Sequence, residues 1–157
     1  MPQIFVKRTR LTVSAERVYA WHAEPGALEK LIPPWGSAEV TERTGSVNKI
    51  GSRVVIRMRL GPFRCAWTSV HTACEPGRMF RDSQVSGPFA EWTHTHSFIP
   101  ETAESSWLED RVEYTLPFGA LGQFFAGWYV RRKLKRMFDY RHRVTLEAFA
   151  NHSAGMQ

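Results

Sequence analysis

The side chains best equipped for chemistry are His94, His96, Asp110, Tyr114, Asp82 and Gln84. A carboxylate beside an imidazole pairs a proton acceptor with a proton donor, which is what general acid–base catalysis requires. In a dry pocket both groups shift their pKa values, through burial and through each other's charge. A phenol such as Tyr114 can donate to an enolate oxygen. Cyclisation, dehydration and isomerisation are reactions that such a set would serve. His94-x-His96 also has the alternation of a strand-borne metal pair, with Asp110 or His71 as a further ligand. Together with Glu101 it resembles part of a cupin motif. The flanking glycines and later histidine of that motif are absent, so no metal is expected. No phosphate-cradling glycine loop, nucleophile elbow or Cys-x-x-Cys occurs, and no cofactor is expected.

The elements that must position these residues can be read from period and punctuation. Arg53 to Leu60 alternates, with Val54, Ile56, Met58 and Leu60 on one face, as a half-buried strand should. Gly61-Pro62 marks a turn. Phe63 to Thr72 follows, with Cys65, Trp67, Ser69 and His71 sharing a face. Arg78 to Ser86, Glu91 to Ile99 and Trp107 to Leu116 are further strands, bounded by Glu75-Pro76-Gly77, Gly87-Pro88, Pro100 and Pro117-Phe118-Gly119. Successive side chains on a strand face opposite ways. Trp92, His94, His96 and Phe98 therefore point together, as do Leu108, Asp110, Val112, Tyr114 and Leu116. Phe80, Asp82 and Gln84 form a third row. Three neighbouring strands of a meander bring six polar groups into one patch. Either they satisfy one another, since a buried polar group without a partner costs ~1–3 kcal/mol, or they floor a cavity.

Ile4 to Val13 reads as the first strand. Ser14 is placed as the N-cap of a short helix to His22, and Ala27 to Ile32 is a second, stopped by Pro33-Pro34. Leu121 to Phe149 reads as one long amphipathic helix. Its aromatic residues Phe124, Phe125 and Trp128 are expected to face the sheet. This order predicts an α+β fold, an antiparallel meander with a long helix across one face. With 157 residues and no repeat or linker, residues 1–157 are expected to form one domain.

The formal charge is +6, and residues 121–149 hold seven basic and two acidic side chains. Arg131, Arg132, Lys133, Lys135 and Arg136 are best read as a solvated helix face; a weak contact with an anionic membrane is the sharper alternative. No nucleic-acid partner is expected. No signal peptide or apolar run of membrane-spanning length is evident. Cys65 and Cys74 are nine apart, which on one strand places them on opposite faces, unbridged. The expected compartment is a reducing cytoplasm.

Several segments resemble the SRPBCC superfamily, the START-related, birch-pollen-allergen-like helix-grip proteins labelled polyketide cyclase/dehydrase or lipid transport. They are Trp21 to Leu28, Leu31 to Trp35, Phe80 to Gln84 with Gly87-Pro88-Phe89, and Trp92 to Phe98. Asp110 to Tyr114, Leu116 to Gly119 and Phe138 to Arg141 complete the set. The likeness extends to bacterial members fused ahead of epimerase-like domains of cell-division-inhibitor proteins. The resemblance implies a curved seven-stranded antiparallel sheet gripping the C-terminal helix, with two short helices between the first two strands. It also implies a cavity between sheet and helix. It implies no particular reaction.

The expected function is binding, as carrier or sensor, of a small hydrophobic or amphipathic molecule. Trp67, Phe124, Phe125 and Trp128 would supply contact area, and Asp82, Gln84, His94, His96, Asp110 and Tyr114 orientation. The rival is an acid–base enzyme of the cyclase, dehydratase or isomerase type, using Asp110, His94 and Tyr114.

Overall fold

The computed structural model describes residues 2–60 and 62–153. The strand β1 (Gln3–Leu11) is followed by two short helices, α1 (Ala15–Ala23) and α2 (Ala27–Leu31). Six strands then run in sequence: β2 (Glu39–Thr44), β3 (Arg53–Leu60), β4 (Phe63–Glu75), β5 (Met79–Ser86), β6 (Glu91–Thr102) and β7 (Ser105–Thr115). The helix α3 (Gly119–Ser153) closes the chain. The strands form one antiparallel sheet in the order β1-β7-β6-β5-β4-β3-β2, with β1 folding back to pair with β7. This is the α+β helix-grip architecture.

Local chemistry explains the connections. Pro25 cannot continue α1, and Gly26 at φ +86° opens α2 in a left-handed conformation that other residues adopt at a cost. Ser14 does stand at the N-cap of α1, but only its backbone carbonyl serves the helix, accepting from the Val18 amide. Phe118 and Gly119 both have positive φ, so the chain turns sharply from β7 into α3.

Two strands departed from expectation. β2, EVTERT, has almost no buried side chain, so it carries no alternation of apolar and polar residues. Gly61, the first residue of the expected turn after β3, lies outside the described residues. In β4 the register shifts between His71 and Ala73, and such a bulge reverses which parity faces inward. Cys74 therefore points into the core, with its sulfur 3.3 Å from the Tyr19 hydroxyl. Cys65 pairs with Met58 on the cavity side. The two cysteines share a face, contrary to the parity reading, and stay free because some 30 Å of strand separates them.

The inner sheet face carries two apolar clusters. One holds Leu11, Val18, Tyr19, Phe80, Phe98 and Leu108; the other holds Phe5, Trp92, Val112, Tyr114, Leu134 and Phe138. On β6, Trp92 belongs to one cluster and Phe98 to the other, with His94 and His96 between them. On β7, Asp110 stands in the same way between Leu108 and Val112. The polar residues thus occupy a band between two dry regions.

The long helix does not present the face expected of it. Leu134, Phe138 and Thr145 are buried, with Phe138 packed 5.4 Å from Phe5. At about 100° per residue, Leu121, Phe124, Phe125 and Trp128 centre roughly 120° away from that buried row. They lie on the outside, 67–78% exposed. The helix carries two adjacent stripes, one buried and one exposed, rather than a single inward one.

Candidate functional site

The organising group is Asp110, buried at 3% exposure. Its Oδ1 accepts a hydrogen bond from His94 Nε2 at 2.8 Å, and its Oδ2 from His142 Nε2 at 2.7 Å. His142 lies on α3, and its Nδ1 is 2.7 Å from Thr9 Oγ1 of β1. One carboxylate thereby ties β6, α3 and β1 together. His96 Nδ1 also lies 2.8 Å from Asp110 Oδ1, but out of line for a hydrogen bond, so that contact is electrostatic.

Above this cluster is a cavity of about 310 Å³ between the sheet, α1, α2 and α3. Val54, Ile56 and Met58 of β3, Trp67 of β4, Trp92 of β6 and Leu28, Leu31 and Met137 of the helices give it an apolar wall. Its polar side is His22, His71, Asp82, His94, His96 and Arg141. Even-numbered residues of β3, β5 and β6 and odd-numbered residues of β4 line it, as alternation requires. His96 stacks on Phe80 with ring centres 4.2 Å apart, and Trp67 meets Trp92 edge-on at 4.8 Å.

Of the residues singled out from sequence, Trp67, Asp82, His94 and His96 reach this cavity. Asp110 lies beneath it. Tyr114 does not line it; the ring is buried beside Phe89 and Trp92. Gln84 is spent locally: its amide bonds the backbone of Phe89 and braces the β5–β6 turn. Phe124, Phe125 and Trp128 are on the outer face of α3 and form no wall. Arg131, Arg132, Lys133, Lys135 and Arg136 are exposed beside them.

His142 and Arg141 were missed as site residues, although Arg141 stands in a segment that carries the family resemblance. Both follow the helical turn of Phe138, so they face inward, but basic residues on a basic helix read as solvated. Arg141 Nε donates to the carbonyl of Leu31 at 3.3 Å, which holds its guanidinium at the cavity rim of α2. His22 Nδ1 donates to the Val18 carbonyl at 2.8 Å; since a carbonyl only accepts, Nδ1 carries the proton.

Charge is distributed unevenly here. Burial opposes ionisation of Asp110, yet the surrounding histidines outweigh it and hold the carboxyl well below its usual range. Burial pushes Asp82 the other way, upward, so it keeps its proton more readily. Burial also lowers His94, His96 and His71, and lowers His22 to about 4. With Asp110 ionised, its bond to His94 must be N–H···O⁻, which leaves Nδ1 of neutral His94 with a lone pair. That lone pair is 3.6 Å from Asp82 Oδ2, too far for a hydrogen bond.

Comparison with known proteins agrees with this architecture. The family described as polyketide cyclase/dehydrase and lipid transport matches residues 11–139. No curated protein matches in a sequence search. A norcoclaurine synthase point mutant from Thalictrum flavum, solved with a transition-state analogue, superposes with a TM-score of 0.71 at 14% identity. That likeness covers 94% of this chain and 96% of the synthase. The allergen Ara h 8.0201 gives 0.65 at 14% identity, over 94% and 99%. A nucleoside-diphosphate sugar epimerase from Corynebacterium glutamicum gives 0.70 at 20% identity; the match covers 93% of this chain and 29% of the epimerase. At these identities the likeness is one of fold.

A pH dependence follows. A histidine whose folded pKa is lowered binds fewer protons folded than unfolded, so stability falls as pH drops below about 6.5. His22 alone accounts for about 3 kcal/mol between pH 7 and its folded value near 4. His71, His94 and His96 act in the same direction; the raised Asp82 opposes them. Asp110 adds a further loss below the unfolded carboxylate range. Urea unfolding at neutral and mildly acidic pH should show stability decreasing steadily, with a shallower slope in His22→Gln. A flat profile across pH 7 to 5 would contradict this charge distribution.

Proposed function

The chain belongs to the polyketide cyclase/dehydrase and lipid-transport family, and from that premise we propose that it binds one small molecule with an apolar body and a polar end. The carrying observation is a cavity that combines an apolar wall, from Val54, Ile56 and Met58 of β3, Trp67 of β4, Trp92 of β6 and the helices, with the polar groups His22, His71, Asp82, His94, His96 and Arg141. Its volume of about 310 Å³ is at the small end of ligand pockets, ~300–1,000 Å³, which favours a compact molecule over a full-length lipid. Residues 1–157 act in this reading as a single ligand-binding domain, a carrier or sensor. Native mass spectrometry of freshly purified protein should show a retained small molecule. Anilinonaphthalene sulfonate, a compact apolar body with one anionic group, should quench tryptophan emission on binding. Trp67→Ala should weaken that binding about tenfold, a loss of ~1.4 kcal/mol, while Trp128→Ala, on the outer face, leaves it unchanged. Equal losses in both variants, or no binding at all, would remove the cavity from consideration.

A second reading rests on one geometric observation. Asp110 orients His94 so that its free Nδ1 stands beside Asp82, a carboxyl that burial biases toward its protonated form. An oriented base next to a neutral acid suits proton transfer within a bound ketone or poly-β-ketone, as in cyclisation or dehydration. With such substrates, His94→Gln should cut turnover by roughly 10²-fold or more while the sulfonate probe still binds. Undiminished turnover in that variant would exclude His94 as the base.

The outer face of α3 supports the carrier role. Phe124, Phe125, Trp128 and Tyr129 are exposed next to Arg131, Arg132 and Lys133, a combination suited to the surface of an anionic bilayer. Vesicles containing phosphatidylserine should retain the protein at low salt and release it as salt rises. Phosphatidylcholine vesicles should not retain it, and equal retention by both would discount the basic face.

A further inference from the structure

We propose that Asp82, His94 and His96 form a binding site for a zinc-like divalent cation, with one coordination position open to the cavity. The sequence discouraged a metal because His94-x-His96 offered no third ligand at a recognised spacing. The sheet supplies it: Asp82 stands directly opposite His94 across the β5–β6 pair, and His96 is one pleat further along β6. A ligand atom from each residue lies within 4.8 Å of the other two. Asp82 Oδ2 and His94 Nδ1 are 3.6 Å apart. Two donors on a tetrahedral zinc at ~2.0–2.1 Å are separated by about 3.3 Å, so the Asp82–His94 pair needs only a small closing movement, with His96 brought in from within 4.8 Å.

The surroundings fit the same assignment. A ligating histidine commonly donates its other ring N–H to a carboxylate, which fixes the tautomer and strengthens the donor. His94 does this through Nε2 to Asp110 at 2.8 Å, leaving Nδ1 as the free donor beside Asp82. His96 also leans on Asp110, and its buried Nδ1 has no aligned hydrogen bond. Asp110, and Asp82 once a cation displaces its proton, supply negative charge beside the site, while the Arg141 guanidinium, which shares the cavity lining with Arg43, is held through Nε on the Leu31 carbonyl. All three ligands line the cavity, so a fourth position is available to water or to the polar end of a bound molecule. Two nitrogens and one oxygen with an open position is the donor set of catalytic rather than structural zinc sites. This inference shares the cavity of the binding reading but does not depend on which organic molecule fills it.

The test uses the full chain, stripped with a chelator and titrated with Zn(II) alone against a chromophoric competitor. One equivalent should bind. His94→Gln and Asp82→Asn should each lower affinity at least tenfold. Asp110→Asn should lower it roughly 10- to 100-fold without changing the stoichiometry. Co(II) in the unaltered chain should give the intense visible absorption of four-coordination, a readout that needs no variant to fold. Absence of a stoichiometric site, a six-coordinate Co(II) spectrum, or undiminished affinity in folded His94→Gln and Asp82→Asn would each overturn the assignment. Because the probe is the metal alone, its failure leaves sulfonate binding untouched, and failure of sulfonate binding leaves the metal result standing.

Discussion

The structure is organised around one expensive decision, the burial of the Asp110 charge. An ionised carboxylate taken out of water costs several kcal/mol unless partners replace its hydration. Here the replacements come from elements far apart in sequence: His94 on β6 and His142 on α3, the latter braced by Thr9 on β1. The same bonds that satisfy the charge also fix where the helix lies on the sheet. A purely apolar interface would leave α3 freer to slide along its axis, whereas a directional contact specifies one position.

The band of polar residues owes its placement to this clamp. His94 and His96 lie between two apolar clusters and face the cavity. Their rings are closely packed, with centres 3.9 Å apart, and His96 is further held against Phe80. Side chains fixed in this way present lone pairs in set directions before any ligand arrives. Such preorganisation is what both proton transfer and metal ligation require.

Much of this was legible in sequence because strands have a period of two. The inward rows Trp92-His94-His96-Phe98 and Leu108-Asp110-Val112 followed from alternation alone, and the structure keeps both. The failures have equally definite causes. β2 lies at the sheet edge with both faces wet, so no pattern marked it. The bulge after His71 shifted parity, and nothing local announces a bulge. Helical residues needed an azimuth, and a difference of about 120° separated the exposed Phe124–Trp128 set from the buried Leu134–Thr145 row. His142 and Arg141 were lost for a related reason: a basic residue on a basic helix reads as solvated until a buried carboxylate is seen opposite it. Tyr114 and Gln84 pointed inward as expected, but inward meant core packing and turn bracing rather than the cavity.

The separation of clamp from wall has a consequence for how such a chain can diversify. The buried charge and its partners occupy β1, β6, β7 and α3, whereas Val54, Ile56, Met58 and Trp67 of the apolar wall stand on β3 and β4. Exchanging one of those wall residues for another apolar residue alters the shape of the cavity without orphaning any partner of Asp110. The two halves of the molecule can therefore drift under different selection. The chemical floor is held constant by electrostatics, while the opposite strands remain free to remodel around whatever molecule the cell offers.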